Sequence, residues 1–203
     1  YIVGLLGAVP SIVFGFWGLS VVGPGSKPVG NWLNEHLGWI PLFAGDASVT
    51  GKTMLVVGIV LGIMILPIMT AVNREVFLQT PRLHEEASLA LGATRWEMIQ
   101  QAVIPFGKSG IVSGTMLGLG RALGETMAVA LILSPGLPYS IELLSDNSSS
   151  TIAADIALNL PESSGVATNT LVASGLVLFF VTLLVNMAAR WIVSRRSEFS
   201  GAN

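Results

Sequence analysis

The chain has 203 residues, of which 52% are hydrophobic and only 11% are charged; its formal net charge is −2 and its mean hydropathy is +0.72. Soluble domains average about 25% charged residues, so this composition excludes an ordinary soluble domain and indicates an integral membrane protein. These 203 residues leave room for one helical bundle and its loops, so no additional catalytic domain is expected within them. Because the chain has no cysteine, disulfides and cysteine-based metal sites are also excluded.

Four apolar segments are predicted to span a membrane as α-helices. A spanning helix needs about 20 mostly apolar residues, and the hydrocarbon core admits only backbone whose hydrogen bonds are satisfied. The segments are Tyr1–Val22, Thr53–Val72, Ser109–Leu133 and Thr170–Val193. The sequence therefore predicts a single all-α domain over residues 1–203, a polytopic bundle with loops at 23–52 and 134–169. The apolar, uncharged start at Tyr1 suggests that the natural N-terminus lies further upstream.

Lysine and arginine residues are distributed unevenly between the segments. The first loop has two of them and the second loop has none. The polar region at 73–108 and the tail hold Arg74, Arg82, Arg95, Lys108, Arg190, Arg195 and Arg196. Cytoplasmic loops of membrane proteins are enriched in lysine and arginine. We therefore expect the polar region and both ends of the chain to be cytoplasmic, and both loops to be external.

The two external loops contain one misleading motif and one short helix. Residues 45–53, GDASVTGKT, resemble a phosphate-binding P-loop, but five residues instead of four separate Gly45 from Gly51-Lys52, and no strand is predicted before them. We therefore reject a nucleotide site there. Trp17, Trp32 and Trp39 are predicted to form an outer interfacial belt. Residues 151–160, TIAADIALNL, are predicted to form a helix too short to span the membrane.

The polar region between the second and third segments predicts two short helices, here called the knob (residues 80–105). Thr80 is expected to cap the first helix, and Gly92 to end it in the left-handed conformation. Thr94 and Glu97 have the spacing of a capping box that starts the second helix, which Pro105 is expected to interrupt. A solvated loop is the alternative. The knob surface combines charged residues with an apolar side formed by Leu83, Ala87, Ala90 and Leu91.

Two charged residues, Arg121 and Glu125, lie midway along the third segment. Each charge costs roughly 2.5–3.5 kcal/mol at that depth by insertion scales. Four residues apart on a helix, they share a face and can pair. Small residues on the same face allow another helix to approach closely; they are Gly110, Gly114, Gly118 and Ala128. This face is therefore predicted to look towards a partner or a cavity.

The charged pair has two interpretations, a structural ion pair or part of a substrate pathway. Buried ion pairs give little net stability and apolar replacements often serve as well, which favours the pathway. Arg121 is suited to a phosphate or sulfate group because guanidinium is permanently charged and bidentate. Glu125 can accept a hydrogen bond from a protonated phosphate oxygen, which sulfate at neutral pH does not offer. The pair therefore predicts a pathway for a protonated oxyanion.

Several residues of the knob resemble a known signature. Glu86-Ala87-Ser88, Gly92 and Ala102-Val103-Ile104-Pro105 resemble the EAA signature of ABC-importer permeases, EAA-x3-G-x9-I-x-L-P, with the same spacing. The departures from it are Ser88, Ala102 and Ile104. The resemblance implies that the knob is the coupling loop, whose residues Glu86, Ala87, Gly92 and Pro105 match the signature. In that family the loop sits in a groove of a separate ATPase subunit.

Two further segments narrow the resemblance. Residues 120–129, GRALGETMAV, and residues 8–18, AVPSIVFGFWG, are similar to segments of phosphate-specific ABC permeases of the PstC type. The resemblance implies that Arg121 and Glu125 take part in phosphate passage. It also implies four spanning helices of an expected six, in a bacterial inner membrane. The implied partners are a second permease of the PstA type, a cytoplasmic dimer of ATP-binding subunits and an external phosphate-binding protein.

Two alternatives remain open at the level of the sequence. One keeps the ABC class and changes the cargo to sulfate, molybdate or a phosphonate. The other is a secondary transporter or channel, in which intramembrane charges relay ions. No residue is expected to do covalent chemistry, and no cofactor or metal is expected, because His36 and His84 are predicted on opposite sides of the membrane.

Overall fold

The computed structural model describes residues 7, 9–44, 48–133, 142–146 and 150–194. Within them the chain is helical and contains no strand, so the predicted all-α fold is confirmed. The α-helices are α1 (Ser11–Trp17), α2 (Gly23–Leu37), α3 (Met54–Leu78), α4 (Arg82–Ala90), α5 (Arg95–Met98), α6 (Ile104–Leu123), α7 (Met127–Ile132), α8 (Ile152–Asn159) and α9 (Val166–Ser194). Five-residue π-helical segments, Gly18–Val22 and Ile99–Val103, join α1 to α2 and α5 to α6.

Three helices of the described chain are long and apolar enough to cross a membrane, where the sequence predicts four. They are Met54–Leu78, Arg95–Leu123 and Val166–Trp191. The first and last of these agree in position with the second and fourth predicted spans, whereas the middle one overlaps the third predicted span only over residues 109–123. Residues 1–6 and 8 of the first predicted span lie outside the described residues, as do residues 45–47, most of the loop between α7 and α8, and the tail with Arg195 and Arg196.

The loop predicted at 23–52 is helical over its first half, so that prediction is wrong. Its glycines and prolines suggested a loop, yet Pro24 lies in the first turn of α2 just after the π-helical segment, whose shifted hydrogen-bond register accommodates a residue without an N–H. The π-helical segment continues α1 into α2 without a break. Residues 152–159 form the short helix expected from TIAADIALNL, and the Thr151 side chain caps it by accepting the N–H of Ala154 at 3.3 Å.

The third predicted span is interrupted, contrary to the expected continuous helix. α6 ends at Leu123, Gly124 caps it, and α7 begins only at Met127. The Glu125 side chain accepts the backbone N–H of Ala128 at 3.3 Å, which satisfies a free donor in the first turn of α7. A carboxylate on that amide stabilises a new helix start. The break therefore places Glu125 at the junction of two helices.

A buried core holds α7 in place where α1, α3 and α7 meet. Its members include Phe14, Val56, Val60, Val129 and Ile132, none of them more than 7% exposed. α1 approaches α7 at Gly15, where an added Cβ would lie 3.0 Å from the Cα of Ala128. Such contacts leave no space for a larger side chain. The position of α1 relative to α7 is therefore fixed by close packing.

α6 packs along α3 through a row of glycines, Gly107, Gly110, Gly114 and Gly118. A Cβ added at Gly110 would overlap the side chain of Val76, and one at Gly114 would lie 3.0 Å from Oδ1 of Asn73. These spacings are tighter than ordinary van der Waals contacts, so each glycine is needed for the two helices to approach. The glycine row is thus covered by α3 of the same chain.

The knob contains the two short helices that the sequence predicts, α4 and α5. Gly92 has φ +90°, the left-handed conformation expected at that turn. Thr94 accepts the backbone N–H of Glu97 at 3.3 Å, and a carboxylate oxygen of Glu97 accepts the N–H of Thr94 at 2.7 Å. Both halves of the predicted capping box are confirmed.

Two details of the knob differ from the predictions. Pro81, not Thr80, occupies the position before α4 and makes no capping hydrogen bond, and the buried hydroxyl of Thr80 finds no hydrogen-bond partner among the described residues. Pro105 does not interrupt the second helix, because it falls in the first turn of α6 immediately after the π-helical segment. A π-helical turn changes the hydrogen-bond register, which accommodates a residue without an N–H. Arg95 to Leu123 is therefore one continuous helix of 29 residues.

Candidate functional site

Glu125 is the buried charged residue of the junction between α6 and α7, and only 8% of it is exposed. Its Oε2 accepts a hydrogen bond from the Ser11 hydroxyl at 3.0 Å, and its Oε1 accepts the N–H of Ala128 at 3.3 Å. A carboxylate has about four lone-pair positions. Each oxygen therefore keeps one acceptor position beyond the bond that holds it.

Arg121 lies one turn earlier, near the end of α6, and is exposed. It lines a cleft of about 660 Å³ between α3, α6 and α9. The other lining residues are Ile68, Ser113, Met116, Leu117, Gly120 and Asn186. Guanidinium offers five N–H donors and the Asn186 amide two more. The cleft therefore combines apolar walls with donors and a positive charge, which suits an oxyanion.

The sequence did not single out Asn186 or Ser113. Asn186 is one amide within the long apolar helix α9, and a polar side chain within a span is itself a signal of function. Ser113 lies two turns before Arg121, and its hydroxyl donates to the backbone oxygen of Ser109 at 2.9 Å. The signal for Asn186 was present but could not be connected to Arg121, because 65 residues separate them along the chain.

Arg121 and Glu125 do not form an ion pair within the part of the chain that the structure describes. The carboxylate of Glu125 is directed to Ser11 and Ala128, and Arg121 faces the cleft. The expected pair assumed one continuous helix, in which residues four apart share a face. Because α6 ends at Leu123, that geometry does not hold. Each charge is therefore available to a third group.

The knob exposes apolar as well as charged side chains. Leu83 is 75% exposed and Leu91 is 90% exposed, and Trp96 of α5 is also largely exposed. Glu86 and Ala87 lie on α4 and are exposed beside them. Contiguous exposed apolar side chains with a charged rim are typical of a protein-binding surface. The exposed apolar and charged side chains of the knob are therefore of the kind found where one protein binds another.

The capping box of the knob keeps Glu97 charged. Hydrogen bonds from the backbone N–H and the hydroxyl of Thr94, at 2.7 and 2.8 Å, hold the pKa of Glu97 below its usual value. A carboxylate with a lowered pKa stabilises the folded form above its unfolded pKa, and this contribution disappears as the pH falls through the lowered value. The start of α5 is therefore fully supported at neutral pH.

Asp146 joins the two loops at the other end of the bundle. Burial raises its pKa, but hydrogen bonds from Ser48, Thr50 and Val49 outweigh this, so its pKa lies below the usual value. The N–H of Val49 donates to Oδ2 at 3.1 Å, and the Thr50 hydroxyl donates to Oδ1 at 2.6 Å. These donors belong to the P-loop-like segment, which thus binds a carboxylate of its own chain.

Comparison with known proteins identifies the family. The family described as "Binding-protein-dependent transport system inner membrane component" matches residues 1–198. The chain belongs to this family. With three candidate spans and this membership, it is a multi-pass helical membrane protein. No solved structure matches it.

Several curated members of this transport-system family are similar to the chain. "Phosphate transport system permease protein PstC 2" of Mycobacterium tuberculosis is 49% identical over 194 residues, covering 94% of this chain and 59% of that protein. "Phosphate transport system permease protein PstC" of Mycobacterium leprae is 48% identical over 197 residues (96% and 61%), and that of Xylella fastidiosa is 40% identical over 200 residues (97% and 61%). The chain thus spans about three-fifths of the length of these relatives.

Proposed function

We propose that the chain is the permease subunit of an ATP-driven importer of inorganic phosphate. The observation that carries this proposal is the arrangement at the end of α6: Arg121 faces an open cleft and Glu125 is buried one turn later, without an ion pair joining them. The similarity to three phosphate transport system permeases supports the choice of cargo. The subunit itself does no covalent chemistry, and ATP is hydrolysed by a partner.

The two charges have different roles in phosphate passage. Arg121 binds two phosphate oxygens with its planar fork of donors, and the Asn186 amide is available to a third oxygen in the same cleft. Glu125 accepts a hydrogen bond from the protonated oxygen that phosphate carries at neutral pH. Sulfate has no such hydrogen, so it donates no hydrogen bond to the Glu125 carboxylate, and the two negative charges repel each other. This difference is the basis for selecting phosphate.

Coupling to ATP hydrolysis passes through the knob. Exposed Leu83 and Leu91 enter a groove of the ATP-binding subunit, and Glu86 lies on the same surface. The single helix from Arg95 to Leu123 connects the knob to Arg121. Because it is continuous through Pro105, movement of the knob is passed to the cleft, which alternates between outward-open and inward-open states.

The complete importer contains further subunits. A second, homologous permease of the PstA type completes the pathway, two ATP-binding subunits dock from the cytoplasm, and an external binding protein delivers phosphate. The lysine and arginine distribution supports a cytoplasmic position for the knob and both ends of this chain. The membrane is the bacterial inner membrane.

The test is ATP-driven uptake of labelled phosphate, with sulfate as competitor, in vesicles that contain the full-length subunit and its partners. In Arg121→Gln we expect uptake to fall by at least tenfold, since a charge-assisted bidentate contact is lost, with assembly and basal ATPase activity intact. Arg190→Gln, an exposed arginine near the end of α9, is the matched control. Unchanged uptake in Arg121→Gln would remove this residue from the pathway.

A second variant tests the selection of phosphate. In Glu125→Gln the side chain keeps its size but also gains N–H donors, so we expect sulfate to compete better with phosphate than it does in the wild type. An unchanged preference would contradict the role given to Glu125. Sulfate, molybdate or a phosphonate taken up as fast as phosphate by the wild type would instead identify a permease for another oxyanion.

A further inference from the structure

Ser11, at the start of α1, makes a contact that its own helix does not require. Pro10 occupies the position before α1 and makes no capping hydrogen bond, and the Ser11 hydroxyl donates to Oε2 of Glu125 at 3.0 Å. The two residues are 114 positions apart along the chain. A serine at a helix start usually bonds the backbone of its own first turn, so this contact is a tertiary one.

Close packing of α1 on α7 fixes the position of Ser11. Going along the two helices, Gly15 meets Ala128 and Gly18 meets Ile132, and Cβ atoms added at the glycines would lie 3.0 and 2.8 Å from those residues. Residue numbers increase together, so the helices run parallel. Ser11 lies one turn before Gly15, at the same level as Glu125. The serine is the polar member of a row of small residues.

Two donors from different elements hold the Glu125 carboxylate. Ser11 binds Oε2 from α1, while the N–H of Ala128 binds Oε1 from α7. One donor alone leaves a carboxylate free to rotate about its last bond, whereas one donor on each oxygen fixes its plane. The lone pairs left over then have a fixed direction, which is what a positioned acceptor requires.

We infer that Ser11 is a positioning residue of the phosphate pathway: its hydroxyl fixes the Glu125 carboxylate so that the remaining lone pairs face the protonated oxygen of the passing phosphate. This inference rests on the proposed function. Ser11 acts through Glu125 and needs no contact with phosphate. Alanine at this position preserves the packing of the small-residue row and removes only the hydroxyl.

The experiment compares Ser11→Ala with wild type in vesicles containing the full-length subunit and its partners, supplied with saturating phosphate-loaded binding protein. Uptake is expressed per assembled complex and per ATP hydrolysed. We expect roughly a tenfold loss of uptake, the equivalent of one hydrogen bond to a charged group, with unchanged assembly. Ser11→Thr retains the hydroxyl and should restore at least half of the uptake. Ser20→Ala is the control, because the Ser20 hydroxyl, in the π-helical segment after α1, donates only to the backbone oxygen of Phe16 four residues earlier.

A double variant separates positioning from packing. Because Ser11 acts through the Glu125 carboxylate, the loss in Ser11→Ala with Glu125→Gln should be smaller than the product of the two single losses. Losses that multiply, or a Ser11→Ala variant that behaves like Ser20→Ala, would overturn the inference.

The outcomes for Glu125→Gln distinguish this inference from the proposed function. Reduced uptake in Glu125→Gln with normal uptake in Ser11→Ala would overturn the positioning role alone. Normal uptake and normal sulfate discrimination in Glu125→Gln would overturn the pathway role of Glu125, and the positioning role with it.

Discussion

The helix that carries Arg121 continues through one unusual site in the sequence and ends at another, contrary to the prediction in both cases. At Pro105, where the residue type predicts a stop, the helix continues through a π-helical segment into α6. At Gly124–Thr126, where the apolar pattern predicts continuity, the helix ends and α7 begins anew. The first region remains part of one helix from Arg95 to Leu123, and the second creates a junction at which a charged side chain is held.

The difference shows what decides whether a helix continues. At Pro105 only one backbone donor is missing, and the change of register in the preceding turn accommodates it. At the second site a side chain offers a better bond than the helix does, since Glu125 accepts the N–H of Ala128 and is itself held by Ser11. The break therefore combines a local glycine, Gly124, with a side-chain hydrogen bond from Glu125 to the first turn of α7, and the tertiary contact with Ser11 holds that side chain.

The largest expected effect comes from disturbing the glycine row that holds the continuous helix against α3. In Gly110→Val the added methyl groups would overlap Val76, so we expect destabilisation of at least about 1–3 kcal/mol and a strong loss of assembled complex. Gly62→Val is the matched control, since no described atom lies within 4 Å of a Cβ at that position. Equal melting temperatures of the two purified variants would contradict the packing described for α6.

A moderate effect is expected at the start of the continuous helix. In Thr94→Ala the capping box is lost, and we expect the amides of α5 to exchange with solvent roughly fivefold faster, the usual consequence of losing an N-cap. The measurement is hydrogen exchange of the full complex at neutral pH. Thr115→Ala removes a hydroxyl that bonds only Ile111 within α6, so it should leave α5 unchanged.

Thr94→Ala is also expected to change how the hydrogen-exchange protection of α5 depends on pH. Because Thr94 lowers the pKa of Glu97, wild-type α5 should lose protection as the pH falls through that lowered pKa. Thr94→Ala should lack most of this dependence. A wild-type profile that stays flat down to pH 2 would contradict the link between Glu97 and the order of α5.

The smallest effect is expected for Pro105→Ala, which tests directly whether the helix continues through Pro105 without strain. A proline that strains a helix interior costs about 3 kcal/mol relative to alanine. Since the π-helical segment already accommodates Pro105, we expect the melting temperature of the complex to change by the equivalent of less than about 0.5 kcal/mol. A large gain in stability would mean that the proline strains the helix after all.

Features that depend on a few adjacent residues were predictable from the sequence. The capping box of Thr94 and Glu97, the left-handed Gly92 and the short helix at 152–159 each have a local cause. The spans are predictable for a similar reason, because the bilayer imposes length and hydropathy on each segment separately. The helical state of 23–37 was missed, since Pro24 and Pro28 suggest a loop when their positions within a helix are unknown.

The candidate site was only half predictable. Arg121 and Glu125 are conspicuous because charges are rare in an apolar segment, but their expected mutual pairing was wrong. What replaces it is a contact with Ser11, far away in the sequence, and a cleft completed by Asn186 of α9. Neither can be derived without knowing which helices meet. Local chemistry identifies the charged residues, and the tertiary fold determines what they face.

The length of the continuous helix from Arg95 to Leu123 determines how far one end moves when the helix tilts about the other. Arg95 and Arg121 are separated by 26 residues, so about 40 Å of continuous helix lies between Arg95 in the knob and Arg121 in the cleft. A tilt of about 5° about one end moves the other end by about 3.5 Å. An N–H···O hydrogen bond is only about 2.9 Å long. In the proposed transport cycle, a rotation of a few degrees at the knob would therefore be enough to make or break hydrogen bonds between Arg121 and a bound phosphate.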